Sequence, residues 1–550
     1  MRKRVKTASA VFFICCLLCS LLPAGFSLAA QTPLQIMVAA DTHFQCTADL
    51  GAFSDEYTEH LLNPEVYGYA STQGQMPYES EAILAQMLTE FASSDTACLL
   101  IAGDLTCGKP QSHRTFAEHL RKAETATGKR VFVINGNHDC DAADSDKGIS
   151  METFREIYAD FGYNEALFRH EDSASYTVDL DGTHRLLAID SCIYGEDDGR
   201  ISASVFRWIK AQTEQASKDG KTLLAMMHHS ILPHYELQPM LGNWQFFASW
   251  FADHGIRTVL TGHIHANDIS STVSDRGNTL CDIQTGSLIA SPNTYRLLTV
   301  LPDALRVESR FITQIDASLL PPMLTQQQKM LMEKDFPSYA RAYFVSGVCK
   351  WLNRNVGSVN RLARWFKLKE GSKAYEAAKE LTGVLGDAVS LDIYDTGKGE
   401  SIEHVLQPYG IRVPQSAYQK PYEVASTLMY GLFHGDEATI SSRADTELLL
   451  VCLQGAVLSA AQHLPAPKTL RALVTAVTGM ALSKQSLRSW SEQWAMALLE
   501  TLAGGIVDDY SAPADLNVTI QSESREDTVT LHPLLRIFRL LAEFFTRCFA

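Results

Sequence analysis

The chain has 550 residues, 46% hydrophobic and 20% charged, with a formal net charge of −16. That balance leaves ample material for a buried core and excludes both wholesale disorder and a polytopic membrane protein. The acidic surplus opposes long-range capture of DNA or RNA backbones, so no nucleic-acid polymer is expected as a partner.

The N-terminus reads as a targeting segment. Arg2, Lys3, Arg4 and Lys6 form a basic start, residues 11–22 are nearly all apolar, and Ala29 and Ala30 are small enough for processing. Residues 1–30 are therefore expected to be a signal peptide, which makes the protein exported, extracellular or associated with the cell envelope. Pro23 and Gly25 interrupt the apolar run ahead of the processing site and favour cleavage. An uncleaved anchor is the competing reading, because residues 8–30 approach the roughly 20 needed to span a bilayer. A lipid anchor on Cys19 lacks the small preceding residue, since Leu18 stands there. Cleavage would remove four positive charges and no negative one, taking the net charge from −16 to −20. Nine cysteines would then remain without CxxC spacing, which suggests neither a zinc ribbon nor a dense disulfide framework.

From residue 34 to about 312, β-rich runs alternate with helical patterns. The runs fall at 34–40, 97–103, 130–136, 175–180, 184–190, 222–228, 257–262, 280–286 and 296–301, with amphipathic stretches at 79–92, 112–126, 150–160 and 202–218. Interleaved apolar strands and helices predict an α/β (α+β) domain over 31–318, with helices covering the sheet faces. Asp181-Gly182 between two runs signals a hairpin, so the sheet is expected to be mixed. After Pro321-Pro322 the texture turns helical, with patterns at 323–352, 359–368, 373–389, 444–463, 468–481 and 486–503. Residues 323–550 are read as a mainly helical C-terminal domain, with a loop at 397–414 and a closing amphipathic helix at 534–549. That last helix is expected to pack on its own domain rather than on a membrane surface.

Unusual residues close the strands of the first domain. Asp41-Thr42-His43 follows the first run, Gly103-Asp104 the second, and Gly136-Asn137-His138-Asp139 the third; His228-His229 and Gly262-His263-Ile264-His265 end two later ones. Ligands gather at the carboxyl ends of α/β strands, so these segments can converge. On an extended segment residues two apart point the same way, which would aim Asp41 with His43, and His263 with His265, into one pocket. Gly103, Gly136 and Gly262 would permit sharp turns at the strand exits. Imidazoles, carboxylates and one amide oxygen form a mixed nitrogen and oxygen set suited to manganese, iron or zinc rather than calcium. Seven such groups exceed the needs of one ion with open positions, whereas two ions sharing a bridging carboxylate would use them all.

In this order the motifs D-x-H, GD, GNHD, a single His and GHxH resemble the calcineurin-like metallophosphoesterase signature over residues 34–312. The stretches "GDLTCGKPQSH" (103–113) and "YADFGYNEA" (158–166) look like exported bacterial members similar to class III cyclic nucleotide phosphodiesterases, some with a helical C-terminal domain. The resemblance implies a two-layer mixed β-sandwich flanked by helices and two divalent or mixed-valence transition-metal ions. It further implies that Asp41, His43 and His265 hold one ion, that Asn137, His228 and His263 hold the other, and that Asp104 bridges them. A hydroxide held between two such ions would attack phosphorus in line. His138 resembles the family's phosphate-contacting or proton-donating histidine, with Asp139 setting its tautomer; a turn-capping role for Asp139 is the competing reading.

His229 is the alternative ligand to His228. His234 and Tyr235, in the following loop, are substrate contacts or ordinary exposed residues. His113 follows Ser112, read as a helix N-cap, and is taken as a helix residue. Cys107 and Cys140 are read as structural neighbours of the site, and Asp190 as support behind the ligands. The long irregular stretch 44–78 carries Tyr57, Tyr67, Tyr69 and Tyr78, available to stack on a nucleobase or to pack over the sheet edge.

The expected activity is hydrolysis of a small phosphodiester such as a cyclic nucleotide. The alternatives are a phosphomonoesterase acting on nucleotides or other small phosphates, and a non-catalytic envelope-binding protein, the latter disfavoured because no ligand is missing. Cell-envelope association would run through the N-terminus or the helical domain.

Overall fold

The computed structural model describes residues 33–51, 63–145, 148–234, 241–356, 359, 363, 368–397, 399–435, 444–463 and 515–521. The expected leader, Tyr57, Tyr235, most of the 359–368 pattern and the helical patterns at 468–481, 486–503 and 534–549 lie outside them.

Two mixed sheets carry the first part of the chain. One has six strands in the order β13-β12-β11-β1-β2-β3, with β1 (Leu34–Ala39), β2 (Cys98–Ala102), β3 (Arg130–Ile134), β11 (Thr294–Val300), β12 (Ala304–Phe311) and β13 (Asn517–Gln521). The other orders seven strands as β4-β5-β6-β7-β8-β10-β9: β4 (Phe168–Arg169), β5 (Tyr176–Asp179), β6 (His184–Ile189), β7 (Thr222–Met227), β8 (Thr258–Thr261), β9 (Asp268–Val273) and β10 (Thr279–Gln284). The strands β1, β2 and β3 run parallel, as do β6, β7, β8 and β10. Their near-continuous apolar sequences follow from this, because a parallel strand covered on both faces has no solvent side to supply with polar residues. The hairpin expected at Asp181-Gly182 joins the antiparallel pair β5 and β6.

Helices cover the sheets where the amphipathic patterns place them, at Ser80–Ser93, Pro110–Thr127, Met151–Ile157 and Ala203–Lys218. Ser150 and Ser202 cap two of them by accepting from the N–H groups of Thr153 and Val205. Ser112 is not the cap predicted for it: the helix opens at Pro110, and the Ser112 hydroxyl donates to Asp49 at 2.6 Å. Ile209, Phe251, Val259 and Leu280 centre a core between the seven-stranded sheet and the helices Ala203–Lys218 and Trp244–Asp253.

Beyond residue 323 the expected helices appear at Gln326–Lys334, Phe336–Val356, Lys373–Val389 and Ala444–His463, with another at Pro421–His434. One feature corrects the sequence reading: the stretch read as a loop at 397–414 contains a helical turn, Ile402–Leu406, capped by Ser401. Beside its helices the C-terminal part carries one described strand, β13, which pairs antiparallel with β12, Arg306 facing Thr519. Asp515 just before it takes the buried Arg296 guanidinium on its carbonyl at 2.6 Å. Among the described residues all eight cysteines are free thiols, and no helix is long and apolar enough to cross a membrane.

The described tyrosines before the helix Ser80–Ser93 pack against a later helix of the chain. Tyr69 and Tyr78 are buried, and Tyr67 and Tyr69 meet Tyr339 and Tyr343 of the helix Phe336–Val356. The Tyr343 hydroxyl donates to the Gln75 carbonyl at 2.7 Å and accepts from the Ser71 N–H at 3.0 Å. This docking brings the helical part over the ends of the parallel strands.

Candidate metal centre

Asp41, His43, Asp104, His263 and His265 all have positive φ, between 34° and 77°. A residue with a Cβ pays on the order of 1 kcal/mol there, so each must be held. The N–H of Asp41 donates to the Gly103 carbonyl at 3.1 Å, that of His43 to the Asp104 carbonyl at 2.9 Å, and that of His263 to the Asp41 carboxylate at 2.9 Å. The same-side placement reasoned from an extended strand is thus achieved by a different geometry. Left-handed turns, not the pleat, aim these side chains together. Of the three glycines, only Gly103 uses a positive φ, 87°. At Gly136 and Gly262 the requirement is closeness, because a Cβ would overlap the carboxylates of Asp104 and Asp41.

Two donor sets result. In the first, His43 Nε2 lies 3.0 Å from His265 Nε2, and His265 Nε2 lies 3.5 Å from Asp41 Oδ1. In the second, His228 Nε2 lies 3.0 Å from Asn137 Oδ1 and 3.2 Å from His263 Nδ1. Asp104 Oδ2 reaches both, 3.5 Å from His43 Nε2 and 3.3 Å from His228 Nε2. Asp104 thus stands between a group of Asp41, His43 and His265 and a group of Asn137, His228 and His263.

The donor chemistry fits transition-metal cations. Burial holds His43, His263 and His265 below the usual imidazole range, the last two at about 3, so their ring nitrogens offer lone pairs. His43 Nε2 and His265 Nε2 face each other at 3.0 Å, a spacing that a shared proton or a cation beside them can satisfy, and His263 Nε2 is buried with no hydrogen-bond partner. Burial would also lower His228, but the Asp104 carboxylate overrides it and pushes His228 up to about 9. The Nδ1 of His228 lies 3.0 Å from the Ala102 carbonyl, which leaves Nε2 free to ligate.

The other singled-out residues divide around this centre. His138 is exposed at the mouth, its ring centroid 5.3 Å from that of His43 and its N–H donating to Asp104 Oδ1 at 2.9 Å. Asp139 does not fix the His138 tautomer. Its buried carboxylate accepts from the N–H groups of Leu105, Thr106 and Gly136 at 3.0, 3.0 and 2.8 Å, clasping the second and third strand-exit loops together. His229 turns away from Asp104, its Nδ1 2.9 Å from the Ser191 hydroxyl. Asp190 accepts from the Asn135 amide at 3.0 Å and from the N–H groups of Ala174 and Cys192, bracing the strand end that presents Asn137. His113 is a buried helix residue between the Tyr158 and Thr106 hydroxyls. Cys107 lies 3.9 Å from His43 Nδ1, but burial pushes its thiol up to about 12, away from thiolate ligation. His234 is neither exposed nor at the site: it is buried between Asp268 and Asp282, at 2.9 and 3.3 Å.

Above the donor sets lies a cavity of about 300 Å³. Its floor is Asp104, Asn137, His138, His263 and His265; Thr72, Gln73 and Gln75 form one rim, and Phe344, Val348, Trp351, Met429 and Phe433 form a wall. Sequence reasoning missed the rim, the wall and Asn267. That asparagine follows His265 by two positions, accepts from the Gly286 N–H at 3.0 Å and donates to the Thr294 hydroxyl at 2.8 Å. Its only local signal was an amide two positions after a ligand motif.

The profile of the calcineurin-like phosphoesterase family matches residues 34–267. The chain is 29% identical over 136 residues to a glycerophosphodiester phosphodiesterase of Enterobacter lignolyticus, covering 24% of this chain and 42% of that one. It is 26% identical over 174 residues to a probable cyclic nucleotide phosphodiesterase of Rhodococcus erythropolis, covering 30% and 50%. The chain thus spans about half the length of the curated relatives it matches. Among solved structures, a dimetal phosphatase from Danio rerio aligns at 13% identity and a TM-score of 0.39, over 51% of this chain and 96% of that one.

Proposed function

We propose that this protein, whose residues 34–267 match the calcineurin-like phosphoesterase profile, hydrolyses small phosphodiesters at a two-metal site, with Asp41, His43 and His265 holding one ion, Asn137, His228 and His263 the other, and Asp104 shared by both. The observation that carries the reading is the reach of Asp104 Oδ2 to imidazoles of both donor sets. Two transition-metal cations there would polarise a phosphoryl oxygen and lower the pKa of attacking water.

The chain's own residues supply the rest. Asp139 and Asp190 hold the loops that present Asp104 and Asn137, so the ligands need little reorganisation as charge develops. His138, exposed at the floor's edge, would donate a proton to the leaving alkoxide. A diester rather than a monoester fits the cavity's charge. No Lys or Arg stands among the described residues that line it, while Asp197 adds a carboxylate beside Asp104, which favours the single charge of a diester over the double charge of a monoester. The phosphodiesterase names of both relatives agree with this choice. The basic and apolar N-terminal segment supports export.

The test is to measure bound metal, strip it, restore manganese, and compare turnover of bis(p-nitrophenyl) phosphate, cyclic nucleotides and p-nitrophenyl phosphate. The expected result is metal-dependent hydrolysis favouring the diesters. A reconstituted protein that cleaves only the monoester would overturn the diester assignment, and one that cleaves nothing would overturn the activity.

A further inference from the structure

One wall of the cavity comes from outside the phosphoesterase domain, and we infer that this wall binds a planar aromatic ring carried by the substrate, an inference that rests on the hydrolytic reading above and narrows its substrate class. Phe344, Val348 and Trp351 recur at helical spacing on the helix Phe336–Val356, and Met429 and Phe433 do so on Pro421–His434. Each set lies on one helix face. Together they place an apolar surface opposite a floor of imidazoles and a carboxylate.

The placement is built into the packing. Gly347 faces the Ser71 carbonyl and Gly74 faces the Phe344 ring so closely that a Cβ on either would overlap them. These two glycines let the helix settle directly on the 71–75 rim. The second helix is tied to the metal loop, since the Asn267 backbone N–H and side-chain amide both donate to the Phe433 carbonyl. Trp351, Met429 and Phe433 keep part of their surface uncovered.

Shape and chemistry select among occupants. A cavity of about 300 Å³ is at the small end of small-molecule sites and excludes the interior of a polymer. A polyol would give up its hydration against apolar side chains with no compensating hydrogen bonds. A flat ring can lie against Trp351 and Phe433 in offset or edge-on contact. Its polar edge then meets the Gln73 and Gln75 amides on the rim.

The test uses the full chain loaded with manganese and three phosphonates whose C–P bond resists hydrolysis, with binding measured by calorimetry. Phenylphosphonate should bind at least about tenfold tighter than methylphosphonate, and tighter than cyclohexylphosphonate. Trp351→Ala should cut the phenyl-to-methyl ratio about fivefold or more, Trp351→Phe should keep most of it, and Phe433→Ala should lower it from the second helix. Equal affinity for phenyl and methyl, or a ratio unchanged in both alanine variants, would overturn the wall as a binding surface. Equal affinity for phenyl and cyclohexyl would overturn the preference for a planar ring. If no ester is hydrolysed while the phenyl preference persists, the wall stands and the hydrolytic reading fails.

Discussion

Asn267 and Phe433 are joined twice: the backbone N–H and the side-chain amide of Asn267 both donate to the Phe433 carbonyl, each at 3.2 Å. The residue two positions past a proposed metal ligand thereby anchors a helix from the far part of the chain. Asn267→Ala removes its side-chain bonds to Phe433 and Thr294 and leaves the buried Gly286 N–H without its acceptor. We expect a loss of about 2–4 kcal/mol in stability and weaker retention of metal beside His265. Thermal unfolding with and without manganese checks this, and an unchanged melting temperature would contradict it.

Asp104→Ala should lower metal content and remove most activity, because both donor sets lose a shared oxygen. His138→Ala should retain metal but slow turnover by roughly a hundredfold or more. Metal analysis beside kcat separates the two roles. Equal metal content and equal rates in both variants would refute the assignment.

Asp139→Ala should act through the fold. Its carboxylate serves three buried backbone N–H groups, so the expected cost is about 3 kcal/mol or more. The pH profile of kcat/KM in the surviving folded fraction should keep its wild-type shape. A shifted profile at unchanged melting temperature would restore Asp139 as the partner of His138.

His234 predicts a pH dependence of stability. Burial alone would lower its pKa, but Asp268 and Asp282 on either side push it up to about 10, against an ordinary value of 6.5. A folded-state pKa above the unfolded one means the stabilisation is complete below about 6.5 and is lost as pH rises through about 10. The effect should be on the order of a few kcal/mol. Denaturant titrations from pH 6 to 10 should show the decline, and His234→Gln should flatten it while costing stability at pH 6.

The candidate metal-binding residues could be picked out in the sequence because their information is local. Each stands within three residues of a glycine or of the end of an apolar run, so strand, turn and side chain can be read together, as in Gly103-Asp104 and Gly262-His263. The means of convergence was not legible, since positive φ at Asp41 and His265 is enforced by partners far along the chain. The role of Asp139 was misjudged for the same reason: two of its three donors, Leu105 and Thr106, belong to another loop. The wall was invisible because helical periodicity shows that Phe344, Val348 and Trp351 share a face but not that the face looks onto a cavity. Strand β13 carried too short an alternation to stand out from its surroundings.

That same strand has a consequence for biogenesis. Residue 519 pairs with residue 306, so the outer border of the sheet that presents Asp41 and Asp104 is completed only after the intervening polypeptide has been made. Until then β12 exposes a row of unpaired amides and carbonyls, a template for intermolecular pairing. Nascent chains released early should therefore clump through that border, and maturation should proceed at the pace of long-range closure rather than of helix formation.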